Sequence, residues 1–325
     1  MVNKNFYNTI LSLTFCPRGN YLVAGDIYGQ ISVFYLSKIL NPEGNLTKFD
    51  QTPKHTFTIE NNLHINSLLT TEQYLVVGTS VGIIGYDWKN IKNGKEAKIS
   101  WKIELPKVQS NFEKIDINCM VLSKDPGLIY VGCDDNNIYC VNIESSAIVR
   151  TLKGHSDYIH DIYKLENELV SGGEDGLVNV WDLREKDVAC KVEPWKRDNI
   201  ARNDLGKWIG AVSLSDDWIL CGGGPRLSLW HLKSLNNSMI FPLEDSGIHV
   251  AELYEDKVFA GGRSNYFYNM SVNGNIAAEI PVSCVTVYSA IHQENPQKTL
   301  CIAGSSPKID VCTNFTYKDQ VLSLY

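Results

Sequence analysis

One periodic unit recurs along the whole 325-residue chain, and it constrains the fold before any single residue is considered. Its sharpest copy opens with Gly154-His155-Ser156-Asp157-Tyr158-Ile159. It continues through Leu169-Val170-Ser171-Gly172-Gly173-Glu174-Asp175-Gly176 and closes at Leu177-Val178-Asn179-Val180-Trp181-Asp182. Each copy holds β-rich runs split by turns of Gly, Asp or Asn, which is a strand–turn pattern.

A Gly-His opening, a strand ending in Ser-Gly, an Asp-Gly turn and a terminal Trp-Asp define the WD repeat. Weaker copies run through Ile10 to Leu36, His64 to Trp88, Ile117 to Ile143, Trp208 to Leu232, Ile248 to Ser271 and Cys284 to Cys312. A fourth β-rich run follows each, ending with Val321 to Tyr325. The expected fold is therefore all-β: a seven-bladed WD-repeat β-propeller with four antiparallel strands per blade. A propeller protects its sheet edges. The blades fall at about 8–60, 63–106, 115–153, 154–194, 206–244, 247–281 and 282–325, within a single domain over 1–325. Val321 to Tyr325 can complete blade seven. Whether Val2 to Tyr7 also joins it is open. The polar segments Ser37 to Lys54, Lys89 to Lys98, Pro106 to Lys114 and Pro194 to Lys207 read as surface loops, where recognition concentrates.

Composition narrows the function. Thirty basic against 37 acidic side chains leave a net charge of −7. Broad phosphate binding calls for clustered Lys and Arg, so this balance argues against direct nucleic-acid binding except through a local patch. The nine Cys form no C-x-x-C pair and sit mostly inside apolar strand patterns. They read as buried thiols of a reducing compartment, cytosol or nucleus, not as a metal site. The first residues carry no apolar run of signal-peptide length, and no run reaches membrane-span length.

Two sets of residues resemble chemistry. His155, Ser171 and Asp175 look like a hydrolase constellation. Within a WD repeat the same types, with Trp181, form a structural tetrad: Asp accepts from His, His reaches Ser, and Ser reaches the indole N–H. Gly222-Gly223-Gly224-Pro225 lacks the Lys-Ser/Thr and helix of a phosphate loop and reads as a tight turn. No catalytic group, cofactor, metal or small-molecule substrate is expected.

The residue before the first core position of each inner strand belongs to the loop face. That position reads Thr9, His64, Asp116, Tyr158, Trp208 and His249. Tyr158 and Trp208 are large aromatics in adjacent blades, and interface cores favour Tyr, Trp and Arg. Packing against neighbouring loops is the competing role. The segment Lys191 to Lys207 carries Lys196, Arg197 and Arg202 among Glu193, Asp198 and Asp204. It reads as a solvated loop or as a docking site for an acidic partner helix. The candidate partner-binding residues are thus Tyr158, Trp208, His64, His249, Lys196, Arg197 and Arg202.

Several stretches go beyond a generic repeat: Gly206-Lys207-Trp208-Ile209-Gly210, Asp217-Trp218-Ile219-Leu220-Cys221-Gly222-Gly223-Gly224-Pro225, Leu229-Trp230-His231-Leu232-Lys233-Ser234 and Ile240-Phe241-Pro242. With Ala24-Gly25-Asp26-Ile27-Tyr28-Gly29-Gln30-Ile31 and the Gly154–Asp182 repeat, they make the chain resemble the THO complex subunit 6 family. These are WD-repeat subunits of the THO part of the TREX mRNA-export assembly. The resemblance is dense from Leu152 to Pro242 and nearly absent from Lys89 to Lys114. It implies a nuclear, non-catalytic scaffold that docks onto other THO subunits, notably the coiled-coil subunits 5 and 7, with RNA contact indirect at most. A generic WD-repeat adaptor, such as a ubiquitin-ligase substrate receptor, is the alternative. Direct RNA contact through the loop after blade four is a third.

The tetrad has a measurable consequence. Trp181→Ala is expected to cost roughly 3–5 kcal/mol of stability as a core truncation. Unchanged thermal melting of that variant would refute the tetrad.

Overall fold

A computed structural model describes residues 4–41, 47–59, 63–106, 114–125, 127–243 and 247–325. Val2, most of the expected loop at 106–114 and the limits of blades one and five at 60 and 244 lie outside the described residues. Seven four-stranded antiparallel sheets follow one another in chain order, as the blades of a seven-bladed β-propeller. The chain divides into two compact units.

The first unit comprises Met1–Glu104, Asn265–Phe267 and Ala278–Tyr325. Its blade one is β1 (Ile10–Phe15), β2 (Tyr21–Asp26), β3 (Gln30–Tyr35) and β4 (His55–Thr58). Blade two is β5 (Ser67–Thr70), β6 (Tyr74–Thr79), β7 (Gly82–Asp87) and β8 (Ile99–Ile103). Blade seven, likewise of four strands, runs from Val287–Gln293 through Thr299–Gly304 and Lys308–Cys312 to Gln320–Ser323. Its core lies between blades. Ile10, Leu13 and Phe34 of blade one meet Cys301, Ile309, Val311 and Leu322 of blade seven. On the other side Val23, Ile31 and Val33 meet Leu75, Val77 and Ile84 of blade two.

The second unit comprises Leu105–Ser264 and Tyr268–Ala277. The inner strands of blades three to six are Ile117–Leu122, Ile159–Leu165, Ile209–Leu214 and Ile248–Tyr254. Here too the apolar clusters fill the spaces between blades: Ile138, Leu152, Ile162, Leu169 and Trp181 form one, and Val170, Val180, Ile209, Ile219 and Trp230 another. The second strand of a blade is covered on both faces, so Tyr21–Asp26, Glu168–Gly173 and Trp218–Gly223 are buried almost throughout. The outer strand has one wet face, so Val188–Val192 alternates.

Three local expectations shift. Leu36 and Trp88 do not extend strands. They open short helices, α1 (Leu36–Leu40) and α2 (Trp88–Lys92), because Leu36/Ile39 and Trp88/Ile91 bury one face each at three-residue spacing. The Asp87 carboxylate caps α2 by accepting from the Asn90 amide at 2.8 Å. Blade seven begins its inner strand at Val287 instead of Cys284. Side chains take the preceding amides: Asp310 accepts from Ser283, and Ser305 Oγ from Val285 and Thr286. At the N-terminus Lys4–Tyr7 is a 3₁₀ turn, and Gln320–Ser323 is the fourth strand of blade seven. Asn8 Nδ2 donates to Tyr325 Oη at 2.5 Å and to Asp26 Oδ2 at 2.6 Å, tying blade one to the last residue.

Neighbouring inner strands are joined by side chains, a device the repeat pattern does not announce. In the first unit the Leu13 amide donates to Ser289 Oγ at 3.1 Å, and Ser12 Oγ donates to the carbonyl of Ile65, just ahead of β5, at 3.0 Å. In the second, Asn118 Nδ2 donates to the Ile159 carbonyl at 2.8 Å, the Val212 amide to Asp161 Oδ2 at 2.9 Å, and the Leu253 amide to Ser213 Oγ at 3.0 Å. An inner strand has a sheet edge, and these bonds satisfy groups the ladder leaves unpaired.

The Asp161 link titrates. Burial, helped by the charge of Glu252, pushes its carboxyl up to about 7 against the pull of the Val212 and Ile162 amides. Between the unfolded value and 7 the native state keeps a proton that the unfolded chain has released. Stability is therefore lost as pH rises across that window, by at most about 1.4 kcal/mol per pH unit. Melting curves from pH 4 to 8 are expected to show this slope, and Asp161→Asn to flatten it. Parallel curves for parent and variant would exclude the assignment.

Candidate functional site

The sequence pattern singles out blade four, and the structure gathers its four polar residues into one chain of bonds. Trp181 Nε1 donates to Ser171 Oγ at 2.9 Å. Ser171 Oγ lies 2.7 Å from His155 Nε2, and His155 Nδ1 lies 3.0 Å from Asp175 Oδ2. Donor counting fixes the proton positions. With Nδ1–H donating to Asp175, Nε2 is free to accept from the Ser171 hydroxyl, which itself accepts from the indole. Burial alone would raise the Asp175 carboxyl. The His155 bond and the amides of Ser156 and Leu177 outweigh it, so the carboxyl sits below its ordinary value. Ser171 is fully buried beneath the ring of Trp181, and its hydroxyl meets no solvent.

Other blades hold analogous polar links that a search for His does not find. In blade one Asn8 takes the place of His and donates to Asp26. Asp26 Oδ1 accepts from the turn amides of Tyr28 and Gln30. In blade five Cys221 aligns with Ser171, and the Trp230 indole donates to Ser228 Oγ at 2.9 Å instead. The signal for blade one was present: a small amide residue just ahead of the inner strand and an Asp at the end of the next.

The aromatic face takes shape around a bulge. The inner strands of blades four, five and six each carry one extra residue, at His160, Gly210 and His249. A bulge re-aims the side chain it carries. His249 thus sits one place after the first core residue Ile248, and the position matching Tyr158 and Trp208 is Gly247. This corrects the sequence alignment of that face.

Trp208 lies across the bulges. Its ring stacks on His249 at 5.1 Å between centroids and 28° between planes, and meets His160 edge-on at 6.1 Å. Its Nε1 donates to the Leu205 carbonyl at 2.8 Å. Burial, with the nearby charge of His160, holds the His249 imidazole below its ordinary value. His160 Nε2 lies 2.8 Å from Glu174 Oε2. Tyr158 remains exposed at 44%. Trp208 packs between loops and presents only part of its ring, whereas Tyr158 stands clear. His64 is exposed at the entrance to blade two, in the first unit.

The loop after blade four divides its charges. Arg202 Nε donates to the Gly224 carbonyl at 2.7 Å, and its guanidinium also reaches the carbonyls of Gly223 and Pro225. Arg202 therefore clamps the Gly-Gly-Gly-Pro turn and turns its charge inward, away from the docking role expected of it. Lys196 pairs with Glu193 at 2.9 Å and lies over the Trp195 ring. Arg197 points into solvent. Ile200 is fully buried and anchors the loop's middle. Ile200 and Arg202 hold the loop to the fold, and Lys196, Arg197 and the 37%-exposed Trp195 are among its outward elements.

Gly210 leaves room for the Trp208 ring: a Cβ there would stand 2.3 Å from Trp208 Cζ3 and 2.5 Å from the Ile248 carbonyl oxygen. Gly210→Ala is expected to displace the indole and cost about 1–3 kcal/mol. The change should be read as an altered Trp fluorescence and a lower melting temperature; unchanged emission would contradict this packing.

Comparison with known proteins agrees with this architecture. The WD domain, G-beta repeat family matches residues 146–182, the segment that carries the tetrad. The chain is similar to THO complex subunit 6 of Drosophila melanogaster, 33% identical over 99% of this chain and 91% of the relative. It is similar also to the THO complex subunit 6 homolog of Danio rerio, 36% identical over 97% of each chain. THO complex subunit 6 of Homo sapiens is 32% identical over 98% of this chain and 94% of that protein. Identity of 32–36% over at least 97% of this chain means that it belongs to the THO complex subunit 6 family.

Proposed function

We propose that this chain is a non-catalytic scaffold subunit of a nuclear THO complex, serving the assembly that couples transcription and processing to mRNA export. The observation that carries this reading is similarity to THO complex subunit 6 proteins along nearly the whole chain. The burial of the Ser171–His155–Asp175 set supports a non-catalytic role, since a nucleophile needs an open approach.

The partners are the coiled-coil THO subunits 5 and 7. The contact surface is centred on Tyr158 and the exposed edge of Trp208, with His249 beside them and Arg197 and Lys196 at the rim. An exposed aromatic beside a fixed indole suits the desolvated centre of an interface, with rim charges setting orientation. A ubiquitin-ligase substrate receptor is the competing assignment for a WD-repeat protein.

Affinity purification from nuclei separates the two. Recovery of THO subunits 5 and 7 is the expected result, and recovery of ligase components instead would overturn it. Tyr158→Ala is expected to weaken the purified interaction at least about ten-fold with melting unchanged. Full binding by that variant would move the contact to another surface.

A further inference from the structure

An acid-rich protein concentrates positive charge at one place that the scaffold reading leaves unused. Between Trp88 and Trp101 the chain carries Lys89, Lys92, Lys95 and Lys98 against a single carboxylate, Glu96. Lys89, Lys95 and Lys98 are exposed and Lys92 is partly so. Several surface lysines elsewhere stand beside acids: Lys38 with Asp50, Lys102 with Glu104, Lys233 with Asp217, Lys298 with Glu294. Among the described residues no carboxylate lies within ion-pair distance of Lys54, Lys89, Lys92, Lys95 or Lys98.

The excursion is built, not loose. Trp88 and Ile91 anchor α2 in the core, and Asp87 caps its start. The Asp87 amide donates to the Lys98 carbonyl at 3.3 Å, which brings the far end of the loop back to the near end. Gly94 lies against the His55 ring, close enough that a Cβ would stand 2.5 Å from it. That contact sets the loop beside β4, whose preceding residue is Lys54.

A line of packed rings runs from the buried Trp88 out to the surface at Tyr35. Trp88 meets Tyr21 edge-on at 5.9 Å, and Tyr21 meets Tyr35 at 5.2 Å. Tyr35 is 40% exposed, and Lys54 Nζ lies 5.3 Å from its ring centroid. Cations without partners thus lead to an exposed ring that already sits beside an ammonium.

We propose that this face of blades one and two, formed by Lys54, Lys89, Lys92, Lys95, Lys98 and Tyr35, binds single-stranded nucleic acid through its backbone. Lysines are point charges suited to phosphates without regard to sequence, and an exposed ring offers a stacking surface to any base. An acidic polypeptide would share the charge requirement. It would also need several apolar anchors in desolvated pockets, whereas lysines predominate among the outward side chains here, with Tyr35 and Ile99 beside them. The inference goes beyond the scaffold reading and concerns a surface remote in sequence from Tyr158 and Trp208.

The test uses the full chain and a fluorescently labelled single-stranded RNA of about 12 nucleotides, within the usual site size. One phosphate contact at each of Lys89, Lys92, Lys95 and Lys98 predicts that raising salt from 50 to 200 mM weakens binding about fifty-fold. Lys89→Glu with Lys95→Glu is expected to cut the salt slope by about half and lower affinity at least ten-fold at the lower salt. Tyr35→Ala should weaken binding by about five-fold or more while leaving the salt slope intact. Melting curves check that each variant folds, and Lys89→Gln with Lys95→Gln replaces the reversal if it does not. Absent binding at 50 mM salt, or a slope indifferent to the lysines, overturns the proposal. A poly-glutamate peptide that displaces the RNA at equal charge concentration overturns it in favour of an acidic polypeptide.

Discussion

One extra residue near the start of the inner strand governs much of what this fold can present. Six blades carry it, at Leu11, Asn118, His160, Gly210, His249 and Tyr288. The ladder resumes one residue later, so the strand twists and the next side chains are re-aimed. Ser12, Asp161 and Ser289 each follow the bulge directly, and all three bridge to the neighbouring blade. In blade three the bulge residue Asn118 makes the bridge itself. The same irregularity that exposes His160 and His249 to Trp208 therefore also supplies the partners for unpaired backbone groups. The ring packing around Trp208 and the blade-to-blade attachment share one cause.

The polar tetrad of blade four obeys the same economy. The Trp181–Ser171–His155–Asp175 chain leaves every donor with one acceptor, which is the condition for keeping four polar side chains in an apolar gap. Blade one meets it with Asn8 and Asp26, and blade five with Ser228 below Trp230. The chemistry varies from blade to blade while the requirement stays fixed. For that reason weak repeats with poor matches to the sharp one still form complete sheets.

Charged side chains gain their meaning from where the backbone carries them. Arg202 belongs to a run of mixed charge that resembles a solvated loop, yet it turns inward and binds the carbonyls of Gly223, Gly224 and Pro225. Those carbonyls arise at a turn that no regular ladder satisfies. Lys89, Lys92, Lys95 and Lys98 read as an ordinary polar connection. They form a surface because Trp88 and Ile91 bury one side of a single helical turn and Gly94 seats against His55. In both cases apolar anchors and backbone groups decide which charges face outward.

The repeat alone fixed the architecture. Its turn residues, strand lengths and terminal aromatics are local signals, and local signals survive in a one-dimensional string. The strand limits in blades one, three and six are legible to within a residue or two, and the four members of the tetrad are legible outright. The bulges, the side-chain bridges, the two short helices and the clamp by Arg202 were not legible. Each depends on what a neighbouring blade or turn offers as a partner, and that is set only when the sheets pack. Alternation alone puts His249 in the place of Tyr158 and Trp208, whereas the bulge puts Gly247 there, because it adds a residue that alternation cannot reveal. Sequence therefore determined how many sheets there would be and what each would bury; tertiary contact decided which polar side chains would face outward, because unpaired backbone groups claim their partners first.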